Sequence, residues 1–337
     1  MPLSVGLSIS LFFLTALLTW GWIKIAQTKK IHDSPERRRL HQTQIPRAGG
    51  ISIALVMIVT GAFIFLKTDA SLYWPLVITA MILYGALGFG DDLKPLGSGT
   101  KLLLHGLIAV VIFLIAIVLL SSSLMASIII CVAYLLFVNI WNFMDGSNGL
   151  VSMQSLIVVI GFVALSYFSV GTYYFALALA VCCLGFLPFN FPVARVFLGD
   201  VGSHVLGAAV VGLAVLAYDE AQWTPLEILC LTSALWIDAV LTFIRRAFRG
   251  FKVTQAHRSH LYQYAIRSGN SHAAVCWYYA TWTIVVILII SYSRQLTATA
   301  QQVLLLAVIV AACSLHQWLR LFVLKSSHSQ KISKCLF

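Results

Sequence analysis

The chain has 337 residues, 60% of them hydrophobic and 10% charged, with 22 Lys and Arg against 11 Asp and Glu and a net charge of +11. Soluble globular domains carry about 25% charged residues, so this composition excludes a water-soluble enzyme and leaves no room for a sizeable soluble domain. The basic excess reads as a rim beside anionic lipid, with no nucleic-acid partner implied.

Apolar stretches of about 20 residues, each long enough to cross the hydrocarbon core, predict eleven helices, at about 3–25, 49–66, 72–90, 102–120, 124–142, 150–168, 172–190, 203–218, 225–244, 273–291 and 298–323. The reading is an all-α, polytopic integral membrane protein with a single domain over 1–337. The first segment has no basic region before it and no small-residue cleavage site, so it reads as a retained helix. Its basic cluster follows it: Lys29, Lys30, Arg37, Arg38, Arg39 and Arg47. Short loops rich in Lys and Arg stay cytoplasmic. Strict alternation then leaves only Lys67 and Arg294 in loops on the opposite side. The N-terminus is expected on the far, periplasmic side and the C-terminus in the cytoplasm. The cytoplasmic loops are 26–48, 91–101, 143–149, 191–202 and 245–272, with a tail at 324–337. The seven cysteines contain no CxxC and read as small apolar helix residues.

The polar residues cluster at one set of helix ends. After the first helix, "HDSPERRRLHQTQIPRAGGIS" (32–52) mixes Pro, Gly, His and Arg, and reads as an ordered loop that clamps a substrate with Arg47, Gly49 and Gly50. At the end of the third helix, "GFGDDLKPLGSGTK" carries Asp91 and Asp92 with Lys94 and Lys101 close behind. Adjacent carboxylates repel, so both ionise comfortably only beside a cation, either Lys94 or a metal; the plain alternative is a solvated acidic turn. At the end of the fifth, "NIWNFMDGSNGL" spaces Asn139, Asn142 and Asp145 by three, which keeps them on one side of a helix. The turn Asp145–Gly149 then offers backbone amides to a ligand; interhelical hydrogen bonding plus a cap is the plain alternative.

Just before the eighth helix, "RVFLGDVGSHVLG" sets Asp200 among glycines, where a carboxylate holds Mg²⁺ against a phosphate or simply caps the helix. Asp238, still in the ninth helix, reads as a partner for Arg245, Arg246 or Arg249. The loop at 245–267 adds His257, Arg258 and His260; with no Cys nearby, phosphate or sugar contacts are favoured over zinc. Together these groups fit Mg²⁺-assisted chemistry on a diphosphate, with a hydrophobic acceptor from the bilayer and a soluble donor from the cytoplasm. An ion-coupled transporter is the rival class, but its acids would reach both faces.

The ordered set "PRAGG", "DDLK", "NIWNFMDGSNGL", "FLGDVGS" and "HRSHLYQ" over about 32–263 resembles the polyprenyl-phosphate N-acetylhexosamine-1-phosphate transferases (glycosyl transferase family 4, with the phospho-MurNAc-pentapeptide translocase), and within them the branch that starts O-antigen and related surface glycans. The resemblance implies a bacterial inner-membrane enzyme with a cytoplasmic active site, in which a UDP-N-acetyl sugar and undecaprenyl phosphate give undecaprenyl-diphospho-sugar and UMP, with Mg²⁺ or Mn²⁺ as cofactor and a homodimer as the assembly. Carried over by residue, Asp200 becomes the direct metal ligand, with Asn142 and Asp145 lining the nucleotide and metal site. One of Asp91 and Asp92 deprotonates the lipid phosphate. Phe197 lies next to the uracil, and His257, Arg258 and His260 contact the diphosphate and sugar. Lys94, Lys101 and Asn139 join the substrate-binding set, and Asp145, His257 and His260 the catalytic one. The family's Asp-Gly-x-Asp-Gly turn has Asn148 in place of the second Asp here; an amide hydrogen-bonds a base edge but is a poor Mg²⁺ ligand and no base. The loop also lacks the three-His form of the pentapeptide translocase, which argues against UDP-MurNAc-pentapeptide as donor.

Overall fold

The computed structural model describes residues 2–33, 44–68, 73–119, 123–251 and 257–334. Residues 34–43 of the expected clamp, Arg37–Arg39 included, fall outside these residues, as does Cys335. The chain is a helical bundle: α1 (Pro2–Lys29), α2 (Ile51–Lys67), α3 (Trp74–Leu93), α4 (Ser98–Leu114, continued by a π turn to Leu119), α5 (Leu124–Met144), α6 (Leu150–Ala164), α7 (Val170–Asn190), α8 (Gly199–Glu220), α9 (Pro225–Leu231), α10 (Ser233–Phe248), α11 (Leu261–Arg267), α12 (His272–Ser293) and α13 (Ala298–Lys334). A two-residue strand, β1 (His32–Asp33), pairs antiparallel with β2 (Ile45–Pro46) and closes the stem of the first loop.

Each of the eleven predicted helices is present, with two corrections. The ninth is broken at Thr232, where α9 and α10 meet at 84°. Thr224 and Glu227 form a capping box that starts α9, so this segment begins as its own short helix. The second correction is α11, a two-turn helix inside the loop expected to be irregular. Among the described residues eight helices are long and apolar enough to cross a membrane, nine if the bent pair counts as one span, and α2 and α6 are shorter apolar helices. The protein is therefore a multi-pass membrane protein.

α8 is the central post. It is apolar on all sides and buried along Val201–Leu213, as expected of a helix surrounded by others. Small residues let the neighbours approach closely: Gly207 sits against Val138 and Trp141 of α5, and Gly212 against Val77 of α3. Buried Trp74, Tyr84, Trp141, Phe162 and Phe175 fill the space between these helices. The C-terminal ends of α3, α5 and α7 and the N-terminal ends of α2, α4 and α8 consequently converge at one end of the bundle. At the other end, buried Glu227 accepts from Arg294 Nε at 2.7 Å and from Gln301, and Arg294 also donates to the Leu165 carbonyl and lies over Trp223.

Candidate active site

Four aspartates meet where these helix ends converge. Asp91 and Asp92 lie in the last turn of α3 and Asp145 caps α5. Asp200 is in the first turn of α8, inside the helix that was expected to start at 203. Gly199 makes this possible: its φ of +77° turns the chain, and a Cβ there would lie 2.6 Å from Asp92 Oδ2. The released backbone N–H of Val201 donates to that same oxygen at 3.0 Å.

Asp92 is fully engaged. Arg47 donates to its Oδ1 through Nε at 3.1 Å and Nη2 at 2.9 Å, and the same guanidinium reaches the Asp91 carbonyl. The PRAGG segment is threaded against α8: Gly49 and Gly50 N–H donate to the Phe197 and Leu198 carbonyls at 2.9 and 2.8 Å, and Phe197 N–H donates to Pro46. A Cβ on Gly50 would fall 2.8 Å from Gly202 N, so only glycine fits. Gly49, Gly50 and Phe197 thus form the wall beside the aspartates.

Asp91 accepts from the Leu96 N–H at 2.7 Å and pairs with Lys101, whose ammonium also donates to Asp200 Oδ2 at 3.0 Å. Lys94, by contrast, is exposed and among the described residues pairs with neither aspartate, so it is not the cation expected beside them: the turn after α3 carries it away, whereas α4 brings Lys101 back. Asn142 donates to Ser203 Oγ at 3.1 Å and its amide faces Asp200. Asp145 is held above the usual carboxylate range, first by withdrawal from water and then by the negative charges of Asp200 and Asp92; the Gly199 N–H opposes this.

Asn139 is not drawn into this group. Its amide donates to the Leu135 carbonyl and meets His105 Nδ1 at 3.2 Å, a turn deeper in the bundle. Asn148 donates its side-chain amide to the Pro192 carbonyl and its backbone N–H to His272, while Gly149 N–H binds Asn190 Oδ1. The turn after α5 is therefore fastened to α7 and α12. His272 and Asn190 were not singled out from sequence; the only signal was a polar residue at a helix end.

The HRSH loop reaches the site through Tyr262. Its hydroxyl donates to the Phe143 carbonyl at 3.2 Å and touches Gly146, next to Asp145. His257 and His260 stack loosely, with ring centroids 5.0 Å apart, and His260 caps α11. Among the described residues no hydrogen bond or ion pair joins either histidine to the four aspartates. Asp238 is also corrected: among the described residues it pairs with no arginine. It accepts from Leu261 N–H at 2.9 Å, Tyr279 Oη at 2.6 Å and His316 Nε2 at 3.2 Å, with His260 Nδ1 at 3.6 Å, because it points inward where α11, α12 and α13 meet.

Four carboxyl groups here face two cations, Arg47 and Lys101, and like charges this close ionise together only when a further cation joins them. Among the described residues no three His, Cys, Asp or Glu side chains form a closed metal cage, but Mg²⁺ is typically held by one or two carboxylates plus substrate phosphates. Asp200, partly open at 24% side-chain exposure, with the Asn142 amide beside it, fits that kind of site.

Residues 74–218 match glycosyl transferase family 4. The chain is 31% identical to the phospho-N-acetylmuramoyl-pentapeptide-transferase of Carboxydothermus hydrogenoformans over 306 residues, covering 80% of this chain and 90% of the relative. It is 31% identical to the undecaprenyl-phosphate alpha-N-acetylglucosaminyl 1-phosphate transferase of Thermotoga maritima over 212 residues, 62% of this chain and 63% of that one. With the decaprenyl-phosphate N-acetylglucosaminephosphotransferase of Mycobacterium tuberculosis the identity is 27%, over 72% of this chain and 70% of the relative. The matched segment contains α3–α5 and α8, the helices that bring the four aspartates together, and the chain belongs to glycosyl transferase family 4.

Proposed function

We propose that this protein transfers a sugar-1-phosphate from a UDP-N-acetylhexosamine (GlcNAc, or a 6-deoxy sugar such as FucNAc or QuiNAc) to undecaprenyl phosphate, releasing UMP and starting a lipid-linked surface glycan such as O-antigen. The observation that carries the reading is the four-aspartate cluster at one end of a membrane-spanning bundle; transfer of a phospho-sugar is what the relatives' names have in common, and two of the three name a polyprenyl phosphate. The basic residues of the loops at this end favour a cytoplasmic site in a bacterial inner membrane.

Asp92 holds Arg47 and the first turn of α8, so it acts as a positioning group. Asp91, facing Lys101 and Asp200, is the better placed of the two to take the proton of the lipid phosphate. Asp200, with Asn142, would hold Mg²⁺, which when bound neutralises charge on the diphosphate and on the departing UMP. Lys101, at 32% side-chain exposure, orients phosphate oxygens, while Gly49 and Gly50, bound through their N–H groups to Phe197 and Leu198, fix the segment that carries Arg47. The loop at 257–260, docked by Tyr262, closes over the diphosphate and sugar.

Purified protein given undecaprenyl phosphate, Mg²⁺ and a panel of UDP-sugars should release UMP with at least one N-acetylhexosamine donor. UDP-MurNAc-pentapeptide belongs in the panel because some relatives carry that name; preference for it would replace the GlcNAc-type reading. Failure of every donor, in lipid and in detergent, would sink the enzyme reading.

A further inference from the structure

Where α10 ends beside α13, Arg245, Arg246, Arg249 and Arg320 line an open cavity of about 190 Å³ with Phe251 and Tyr264 as aromatic walls. Arg320 is buried, donates to the Ser259 carbonyl at 3.0 Å and stacks 4.8 Å from the Tyr264 ring. Arg246 stands 5.4 Å from the Phe251 ring. Arg245 donates through Nη2 to Gln317, but its buried Nη1 has no hydrogen-bond partner. Among the described residues, Arg245, Arg249 and Arg320 form no ion pair with a carboxylate. Asp238, on the same helix as Arg245, is already bound by Tyr279, His316 and two backbone N–H groups.

Cations at the end of α10 complement its helix dipole, which accounts for Arg245 and Arg246. It does not account for Arg320, which comes from another helix, nor for a buried guanidinium N–H left unmatched. Arg245, Arg249 and Arg320, converging without a carboxylate among the described residues, repel one another and present forked donors that match phosphate oxygens. The surroundings suggest where the phosphate comes from. Phe243, Ile244, Phe248 and Phe251 are 53%, 41%, 89% and 55% exposed. This apolar face suits acyl chains, and places the arginines at the level where α10 leaves the bilayer.

We propose that Arg245, Arg246, Arg249 and Arg320 form a phosphate-binding site apart from the transfer site, occupied by the headgroup of an anionic glycerophospholipid. Because Arg320 holds Ser259, the bound headgroup would tie α10 and α13 around the loop that carries His257 and His260. The site does not depend on the transfer chemistry.

The full chain, delipidated and titrated in native mass spectrometry with phosphatidylglycerol, phosphatidylcholine or inorganic phosphate, tests this. The wild type should retain one phosphatidylglycerol with about tenfold preference over phosphatidylcholine, equivalent to about 1.4 kcal/mol. Arg245→Gln with Arg249→Gln should abolish the preference. Lys24→Gln with Lys29→Gln, exposed cations on α1, should keep it. Arginine-dependent binding of inorganic phosphate without any lipid preference would keep the phosphate site and overturn the lipid source. Equal retention by all three proteins, with no phosphate binding, would overturn the site itself. Should the double variant fail to fold, Arg249→Gln alone, at an exposed position, carries the same comparison.

Discussion

Asp200 and Asp92 lie on either side of one close contact between α3 and α8, yet they are equipped for different work. Asp92 has 1% of its side chain exposed and both oxygens occupied, by Arg47 and by Val201 N–H. Asp200 has 24% exposed, with Lys101 as an exchangeable partner. Asp200→Asn removes the charge a divalent cation requires while keeping the shape, so UMP release should fall to background, and added Mg²⁺ or Mn²⁺ should not restore it. Near-normal turnover would overturn the metal assignment. His257 offers a test without substrate. Burial first, then His260 and Arg246, push it down to about 4, from about 6.5 in an unfolded chain. Between these values the unfolded chain binds the extra proton, so the stability tied to neutral His257 is complete above pH 6.5 and fades as pH falls toward 4. His257→Gln should therefore lose less Tm than the wild type between pH 7 and pH 5. An equal loss in both proteins would mean that the ring is not held neutral.

At the scale of elements, α13 belongs to the site although no motif marks it. Its His316 binds Asp238 and its Arg320 binds the Ser259 carbonyl, so the last helix holds the loop in place from behind. His316→Ala should lower kcat/KM at least about tenfold, roughly 1.4 kcal/mol of transition-state stabilisation. His316→Gln, which keeps an N–H donor, should recover most of it, and His316→Phe, which keeps only volume, should not. If Phe rescues as well as Gln, the contact is packing and no more. The sequence announces little of this. Apolar runs are periodic and local, so all eleven helices were legible. The pairing of Asp238 with His316 spans 78 residues and has no local pattern. The arginines seven or more residues away offered a simpler partner that the inward aim of α10 rules out. The sequence marked both Lys94 and Lys101 but favoured Lys94 as the cation beside Asp91, because it is nearer along the chain; a turn of the chain reverses their order in space.

Across the whole molecule the bundle separates chemistry from anchorage. α8 runs 22 residues from Gly199 to Glu220, about 33 Å at 1.5 Å per residue, so the Glu227–Arg294 lock stands a membrane thickness from the aspartates. From sequence Arg294 was one of two basic residues on the sparsely charged side; its contact with buried Glu227 gives it a structural reading. Glu227 is 1% exposed and needs its partners. Removing one member of such a pair leaves a buried charge unmatched, at about 3–5 kcal/mol. Arg294→Met should accordingly lower Tm by several degrees. KM and kcat measured well below that Tm should stay close to wild type, because none of the residues that contact Glu227 touches the aspartate end. A matching loss of kcat at low temperature would show that α12 and α13 transmit strain along their length, and that the two ends are one mechanical unit.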